Sequence, residues 1–240
     1  ALRKTAFLTH VLDIDTPVLL FDWPGDQGAS LSGYRRARRV ATESGAELAA
    51  ALSLVVERVE PRRLWLVANS LGAQVVVDAF HHLAADGAFA DGQTELENVI
   101  LTAPDVGRRE FDERFRAEIE VLADNLTIYV SANDRALLVS RLVNRGRRLG
   151  ESTLNPRVPD QAQIAASFAA LTRPTDRRLT LVDVTPVNRT RNFHNFGLET
   201  PEFFDDLFLR LTETDLPRGR RLHFLETPDQ RRYFVLTRGR

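Results

Sequence analysis

Short apolar segments alternate with longer amphipathic segments along most of the chain, and this alternation restricts the fold more than any other feature. The short segments are rich in Val, Ile and Leu and end at turn residues, as in "LWLVANS", which is typical of buried strands. The longer segments place apolar residues at helical spacing. Strands separated by helices predict an α/β fold, a doubly wound and mostly parallel sheet with helices on both faces.

The boundaries of these segments follow from periodicity and from Pro and Gly. The predicted strands are Val18–Phe21, Leu64–Ala68, Val99–Thr102, Leu126–Val130 and Leu179–Val184. The predicted helices are Ala1–Leu12, Tyr34–Val59, Leu71–Ala85, Phe111–Leu122, Arg135–Leu142, Gln161–Leu171 and a last helix that starts at Pro201. The tail "RLHFLETPDQRRYFVL" predicts a β hairpin around Thr227–Asp229. We expect one domain over residues 1–215 and a hairpin extension, residues 216–240, packed on it.

Composition excludes several classes of function. The 240 residues carry 32 basic and 33 acidic side chains, a net charge of −1, so we expect no nucleic-acid partner. Charged residues interrupt every apolar run well before the roughly 20 residues of a membrane span, so we expect none. There is no Cys, which excludes thiolate chemistry and fits either a reducing or an oxidising compartment. We expect a soluble protein without metal or cofactor and take the cytoplasm as the working location.

Ser70 lies in "ANSLG", where a predicted strand turns into a predicted helix. A nucleophilic serine on such a tight turn needs small residues on either side, and Ala68 and Gly72 meet that need. The N–H of Leu71, at the positive end of the helix, would be an oxyanion donor. The alternative is that Ser70 is an ordinary helix N-cap.

A nucleophilic serine needs a base, which is usually a histidine held by a carboxylate. His81 and His82 are 11 and 12 residues further along the same predicted helix, about 16 Å away, which is too far. Two other histidines lie in the first predicted helix and in the tail hairpin. His194 follows the last core strand on a loop at the carboxyl edge of the sheet and is therefore the predicted base.

Two aspartates compete for the acid role. Asp134 follows the strand Leu126–Val130, and Asp105 follows the preceding strand. Asp134 is favoured because its strand is closer in chain order to the histidine loop, and Asp105 remains the alternative acid. The order Ser70, Asp134, His194, each after a different strand, is that of the α/β hydrolases.

Five segments resemble those of one family. They are "VLLFDWPG", "VANSLGAQVV", "LTAPDVGRREF", "IYVSANDRALLVS" with the basic turn "GRRLGE", and "HNFGLETPEFFDDLFLRL". On these segments the chain is similar to bacterial serine esterases of the alpha/beta-hydrolase fold, long catalogued as a domain of unknown function. The resemblance reaches to about Leu211 and implies that Ser70 is the nucleophile, Asp134 the acid and His194 the base.

The chain also departs from the family pattern. Asn69 stands where the family usually has His, and Ala37 where it often has Asp. Family members carry a His-Gly-containing strand and loop ahead of the first helix, and that loop provides the second oxyanion N–H. The resemblance therefore implies that N-terminal strands of the sheet lie outside these residues, upstream of Ala1.

These features predict a carboxylesterase-like serine hydrolase that forms an acyl-enzyme on a small-molecule ester or a related acyl substrate. Trp23, Leu71, Phe193 and Phe196 are expected to form apolar pocket walls, with Asn69 nearby. The rival hypothesis is an α/β-hydrolase-fold binding or interaction module with weak or no activity. The tail hairpin offers an edge for homo-oligomerisation.

Overall fold

The structure, a computed structural model, describes the residues 2–13, 15–86, 89, 96–152, 179–190, 194–212, 222–226 and 232–238. Its helices are α1 Leu2–Val11, α2 Leu31–Glu43, α3 Gly45–Val59, α4 Gly72–Ala84, α5 Arg108–Glu110, α6 Arg116–Leu122, α7 Arg135–Asn144, α8 Phe196–Glu199 and α9 Pro201–Leu211, with a π-helical turn, Phe111–Phe115, between α5 and α6. Its strands are β1 Trp65–Asn69, β2 Leu96–Thr102, β3 Ala123–Val130, β4 Leu179–Asp183, β5 Leu222–Glu226 and β6 Arg232–Leu236.

The six strands form one sheet in the order β1-β2-β3-β4-β6-β5. The pairs β1–β2, β2–β3, β3–β4 and β4–β6 are parallel, and only β5 runs antiparallel. The predicted doubly wound, mostly parallel sheet is confirmed. The tail hairpin is part of this sheet because Val182 and Asp183 of β4 pair directly with Phe234 and Val235 of β6.

The core lies on both faces of the sheet, because successive residues of a strand point to opposite sides. On β2, Val99 and Leu101 belong to one buried cluster, and Ile100 belongs to the other. The first cluster contains Phe80 of α4, and the second contains Phe203 of α9. Parallel strands buried on both faces explain why their sequences are continuous apolar runs.

The prediction of a strand at Val18–Phe21 is wrong. The segment has no strand assignment, and Val18 and Leu19 are exposed, Leu19 at 71%. The apolar run has the composition of a strand, but a strand needs a neighbour to complete its hydrogen bonds. None of the described strands pairs with it.

The single long helix predicted for Tyr34–Val59 is also wrong, because α2 ends at Glu43 and α3 starts at Gly45. A Cβ on Gly45 would lie 2.6 Å from the Cβ of Asp78 on α4. The break at Ser44 therefore coincides with a close contact between α3 and α4 that the helical periodicity of the sequence does not reveal.

The other predicted helices and core strands agree with the structure to within a few residues, except for Gln161–Leu171, which lies outside the described residues. Within the described part of the chain, no helix is both long enough and apolar enough to cross a membrane.

Candidate active site

Ser70 follows directly on β1 and has a backbone conformation that is rare for a residue with a side chain. Its φ angle is +54°, in the left-handed region. A strained strand-to-helix turn of this kind presents a serine hydroxyl above a parallel sheet. At Gly72 there is space for a side-chain carbon, since an added Cβ would lie 3.8 Å from the Cβ of Ala68, an ordinary contact distance. The backbone strain of the turn therefore lies at Ser70, which has the positive φ angle.

The structure brings Ser70, His194 and Asp134 together. His194 Nε2 lies 2.8 Å from Ser70 Oγ, and His194 Nδ1 lies 2.7 Å from Asp134 Oδ2. The tautomer that satisfies both contacts donates its Nδ1 proton to Asp134 and leaves Nε2 to accept the Ser70 proton. The His194 side chain is 17% exposed and that of Asp134 is 0% exposed. The imidazole is thus accessible from solvent, whereas its carboxylate partner is shielded from water.

Each of the three residues follows a parallel strand. Ser70 follows β1, Asp134 lies four residues after β3, and His194 lies between β4 and α8. The carboxyl ends of parallel strands meet at one edge of a sheet, where loops from different strands can combine their side chains. The sheet therefore brings together three residues that are far apart in the sequence.

The loop that carries Asp134 is tied to the segment leading to His194. Thr185 Oγ1 accepts the N–H of Ala132 at 2.9 Å. The Asn188 side chain donates to Ser131 Oγ and to Asn133 Oδ1, at 3.0 and 3.2 Å. Asn133 Nδ2 donates in return to the Asn188 carbonyl oxygen at 3.2 Å. These contacts fix the loop of residues 131–134 against the chain that follows β4.

Asp105, the alternative acid, has other partners. Its carboxylate accepts hydrogen bonds from Arg148 Nε at 2.5 Å and from the Tyr34 hydroxyl at 2.9 Å. Ser140 Oγ donates to it at 2.5 Å. Burial raises the pKa of the Tyr34 hydroxyl, and the negative charge of Asp105 raises it further. Of the two candidate carboxylates, it is Asp134 that contacts the histidine.

The partners of Asp105 are site residues that the sequence did not single out individually. Arg148 belongs to the basic turn "GRRLGE", and Asp105 belongs to "LTAPDVGRREF". Both motifs stand out in the sequence, but the contact between them joins loops 43 residues apart. No local signal separates Arg148 from its neighbour Arg147 in this turn, so the need of a buried arginine for a carboxylate becomes visible only in the fold.

Leu71 and Asn69 flank the serine. Within the described residues, the Leu71 N–H has no hydrogen-bond acceptor, and it precedes α4, whose positive end favours an oxyanion. The Asn69 side chain turns onto β2, where its Nδ2 donates to Thr102 Oγ1 at 2.8 Å. The side-chain amide of Asn69 thus joins the end of β1 to the end of β2.

The aromatic residues expected to form pocket walls differ in their burial. Trp23 is half-buried and packs against the first core cluster. Its ring lies so close to Gly25 that a Cβ added there would be 2.8 Å from it. Phe196 is fully buried and packs edge-on against Phe203 at 6.2 Å. The assignment of Phe196 to a pocket wall is therefore wrong, because an aromatic ring at the start of α8 fills the core between helix and sheet. Phe193 lies outside the described residues.

A cavity of about 220 Å³ lies beside the loop of residues 131–134. Its lining includes Asp134 together with Arg141, Arg147 and Glu151, but neither Ser70 nor His194. Charged side chains share this lining with Ala132 and Leu138. Because neither Ser70 nor His194 lines it, this space is not the acyl pocket expected at the serine.

The comparison with known proteins agrees with the fold. Residues 1–204 match a family described as alpha/beta hydrolase of unknown function (DUF900). No curated protein and no solved structure matches the chain at a significant level. The matched range covers most of the chain and confirms the resemblance at the level of family and fold. The chain belongs to this family of alpha/beta hydrolases.

Proposed function

We propose that the protein is a serine hydrolase that cleaves small-molecule esters through an acyl-enzyme, with Ser70 as nucleophile, His194 as base and Asp134 as acid. The observation that carries the proposal is the continuous hydrogen-bonded chain from Ser70 Oγ through the imidazole to a buried carboxylate, at 2.8 and 2.7 Å. A serine hydroxyl becomes nucleophilic when such a base can take its proton.

In the first half of the reaction, His194 Nε2 accepts the hydroxyl proton while Ser70 Oγ attacks the ester carbonyl carbon. As negative charge develops on the carbonyl oxygen, this oxygen accepts a hydrogen bond from the N–H of Leu71. The imidazolium is stabilised by Asp134 and then protonates the departing alcohol, so that the acyl group remains on Ser70 Oγ.

In the second half, a water molecule replaces the alcohol. His194 takes a proton from this water as it attacks the acyl carbonyl, and the imidazolium then returns the proton to Ser70 Oγ. The carboxylic acid leaves and the hydroxyl is restored. Asp134 holds the same tautomer of the imidazole through both halves, which explains the use of a carboxylate that is shielded from water.

A fluorophosphonate probe tests the proposal, because it reacts covalently with an activated serine. The expected result is one phosphonyl group on Ser70 and hydrolysis of p-nitrophenyl acetate or butyrate. Ser70→Ala should abolish labelling and lower turnover about 10,000-fold or more. Ser53→Ala is the matched control, since Ser53 donates to the Ala49 carbonyl within α3, and it should leave both unchanged.

The contrary outcome is a folded protein whose Ser70 is not labelled and whose ester hydrolysis equals that of Ser70→Ala. That result would favour the rival hypothesis, a binding or interaction module on the same fold.

A further inference from the structure

The last residue of β2 and the loop that follows it bind both backbone polar groups of Ser70. The Ser70 N–H donates to the Thr102 carbonyl at 3.0 Å, and the Asp105 N–H donates to the Ser70 carbonyl at 3.1 Å. A serine in the left-handed region keeps that conformation only where its surroundings impose it. The position of the nucleophile therefore depends on the position of the segment Thr102–Asp105, the end of β2 and the loop after it.

This loop is itself held by a second segment, residues 148–152. The Gly150 N–H donates to the Pro104 carbonyl at 3.0 Å, and the Leu149 N–H donates to the Val106 carbonyl at 2.9 Å. A Cβ on Gly150 would lie 2.7 Å from the carbonyl carbon of Ala103. The two backbones are thus in direct contact, and a shift of one moves the other.

A buried ion pair locks the two segments together. Arg148 Nε donates to Asp105 Oδ1 at 2.5 Å, and Arg148 Nη2 donates to the Asp105 carbonyl oxygen at 2.6 Å. Arg148 is 2% exposed and Asp105 is 3% exposed. Tyr34 and Ser140 complete the shell of the carboxylate. A buried charge pair with its hydrogen bonds satisfied resists displacement, since separating the charges leaves each without a partner.

The same segment also contacts the loop of residues 131–134, which carries Asp134. The Ser131 N–H donates to the Gly150 carbonyl at 3.0 Å, and the Ser152 N–H donates to the Ser131 carbonyl at 3.2 Å. Ser131 is three residues before Asp134. Residues 148–152 therefore connect the loop that holds the nucleophile with the loop that holds the acid.

We propose that Arg148 and Asp105 are positioning residues for Ser70. Their ion pair fixes the loop after β2, and through the Asp105 N–H it fixes the serine relative to His194. The inference rests on the proposed function for its catalytic consequence, and neither residue touches the substrate. Because a misplacement of about 1 Å in a reacting group can cost about 100-fold in rate, the pair acts on turnover more than on binding.

The test compares Arg148→Met, Arg148→Lys and the double variant Asp105→Asn/Arg148→Met. Active sites are counted with the fluorophosphonate, and the turnover of p-nitrophenyl butyrate is expressed per counted site. For Arg148→Met and the double variant we expect kcat per site to fall about 10- to 100-fold with KM nearly unchanged. Arg148→Lys should recover part of the loss, since it keeps the charge but makes fewer of the hydrogen bonds.

Two variants protect the test against misfolding. The double variant removes both charges and so leaves no unpaired buried ion, and Arg148→Lys retains the pair. Arg147→Met is the matched control: Arg147 is the exposed neighbour of Arg148, and its loss should leave kcat per site unchanged.

A second measurement does not depend on activity. Amide hydrogen exchange of Ser70 and Asp105, followed by NMR, should accelerate at least about 10-fold in Arg148→Met relative to the core amides of β3. Unchanged exchange at both amides, or wild-type kcat per site with only a smaller number of sites, overturns the inference and leaves the pair a purely structural role. If the wild-type protein is not labelled at Ser70, the proposed function fails and the exchange rates alone decide whether the pair holds the turn.

Discussion

Asp134 contacts His194 through one carboxylate oxygen and caps α7 through the other. Oδ2 lies 2.7 Å from His194 Nδ1, and Oδ1 accepts the Leu137 N–H at 3.0 Å. One side chain therefore contacts the imidazole and also caps a helix. Because different oxygen atoms make the two contacts, substitutions can separate them.

Asp134→Asn and Asp134→Ala are expected to differ in stability but not in activity. Asn caps a helix about as well as Asp, whereas Ala loses about 1 kcal/mol, so urea unfolding should show Asp134→Ala to be the less stable by about that amount. Both should lose roughly 10,000-fold in ester turnover, since neither side chain offers a carboxylate to the imidazole. Full turnover in Asp134→Asn would contradict the acid role.

Ser70→Gly should be more stable than Ser70→Ala. Glycine adopts the +54° φ of this position without the steric cost borne by alanine, and its greater freedom in the unfolded chain offsets only part of that gain. The expected difference in the free energy of unfolding is roughly 0.5–1 kcal/mol in favour of Gly. At Ser53, inside α3, the same pair should give the opposite order, since Gly is the poorer residue in a helix.

Gly150→Ala should destabilise the protein by about 1–3 kcal/mol, the usual cost of overpacking. Its added methyl group would meet the Ala103–Pro104 peptide at 2.7 Å, so we also expect slower labelling of Ser70. Gly146→Ala is the control, because its methyl group would lie 3.8 Å from the Asn144 carbonyl oxygen. Equal unfolding free energies for the two variants would contradict the close packing.

Tyr34 should make the protein sensitive to alkaline pH. Burial, followed by the charge of Asp105, raises its pKa above the ordinary value near 10.0, so the folded state favours the neutral phenol. The corresponding stability is fully present below pH 10 and is lost as the pH rises through the folded pKa. As the pH rises above about 10, urea unfolding should show a steeper loss of stability for the wild-type protein than for Tyr34→Phe. Parallel curves would mean that this hydroxyl titrates alike in both states.

The regular parts of the fold and the candidate triad could be predicted from the sequence because both depend on local patterns. Apolar runs predicted the core strands, and the position of Asp134 and His194 after separate strands followed from them. The family and the mostly parallel sheet are confirmed, whereas the catalytic roles stay a prediction.

The errors concern contacts between distant segments. Val18–Phe21 has the composition of a strand, but composition does not provide a partner strand. The break before Gly45 depends on the surface of α4, and the burial of Phe196 depends on Phe203 across the start of α9. The partnership of Asp105 and Arg148 likewise appears only when loops from different crossovers are placed side by side.

The spread of the site over the sheet also has a consequence for folding. The hydrogen bonds of His194 to Ser70 and to Asp134 join residues 124 and 60 positions apart, so no short piece of the chain contains the site. It assembles only when β2 has paired with β1 and β3, and β4 with β3, in register, and such long-range pairing is the slow part of folding. If Ser70 is reactive as proposed, its labelling after denaturation should therefore recover only with the complete native topology, and later than the helical structure.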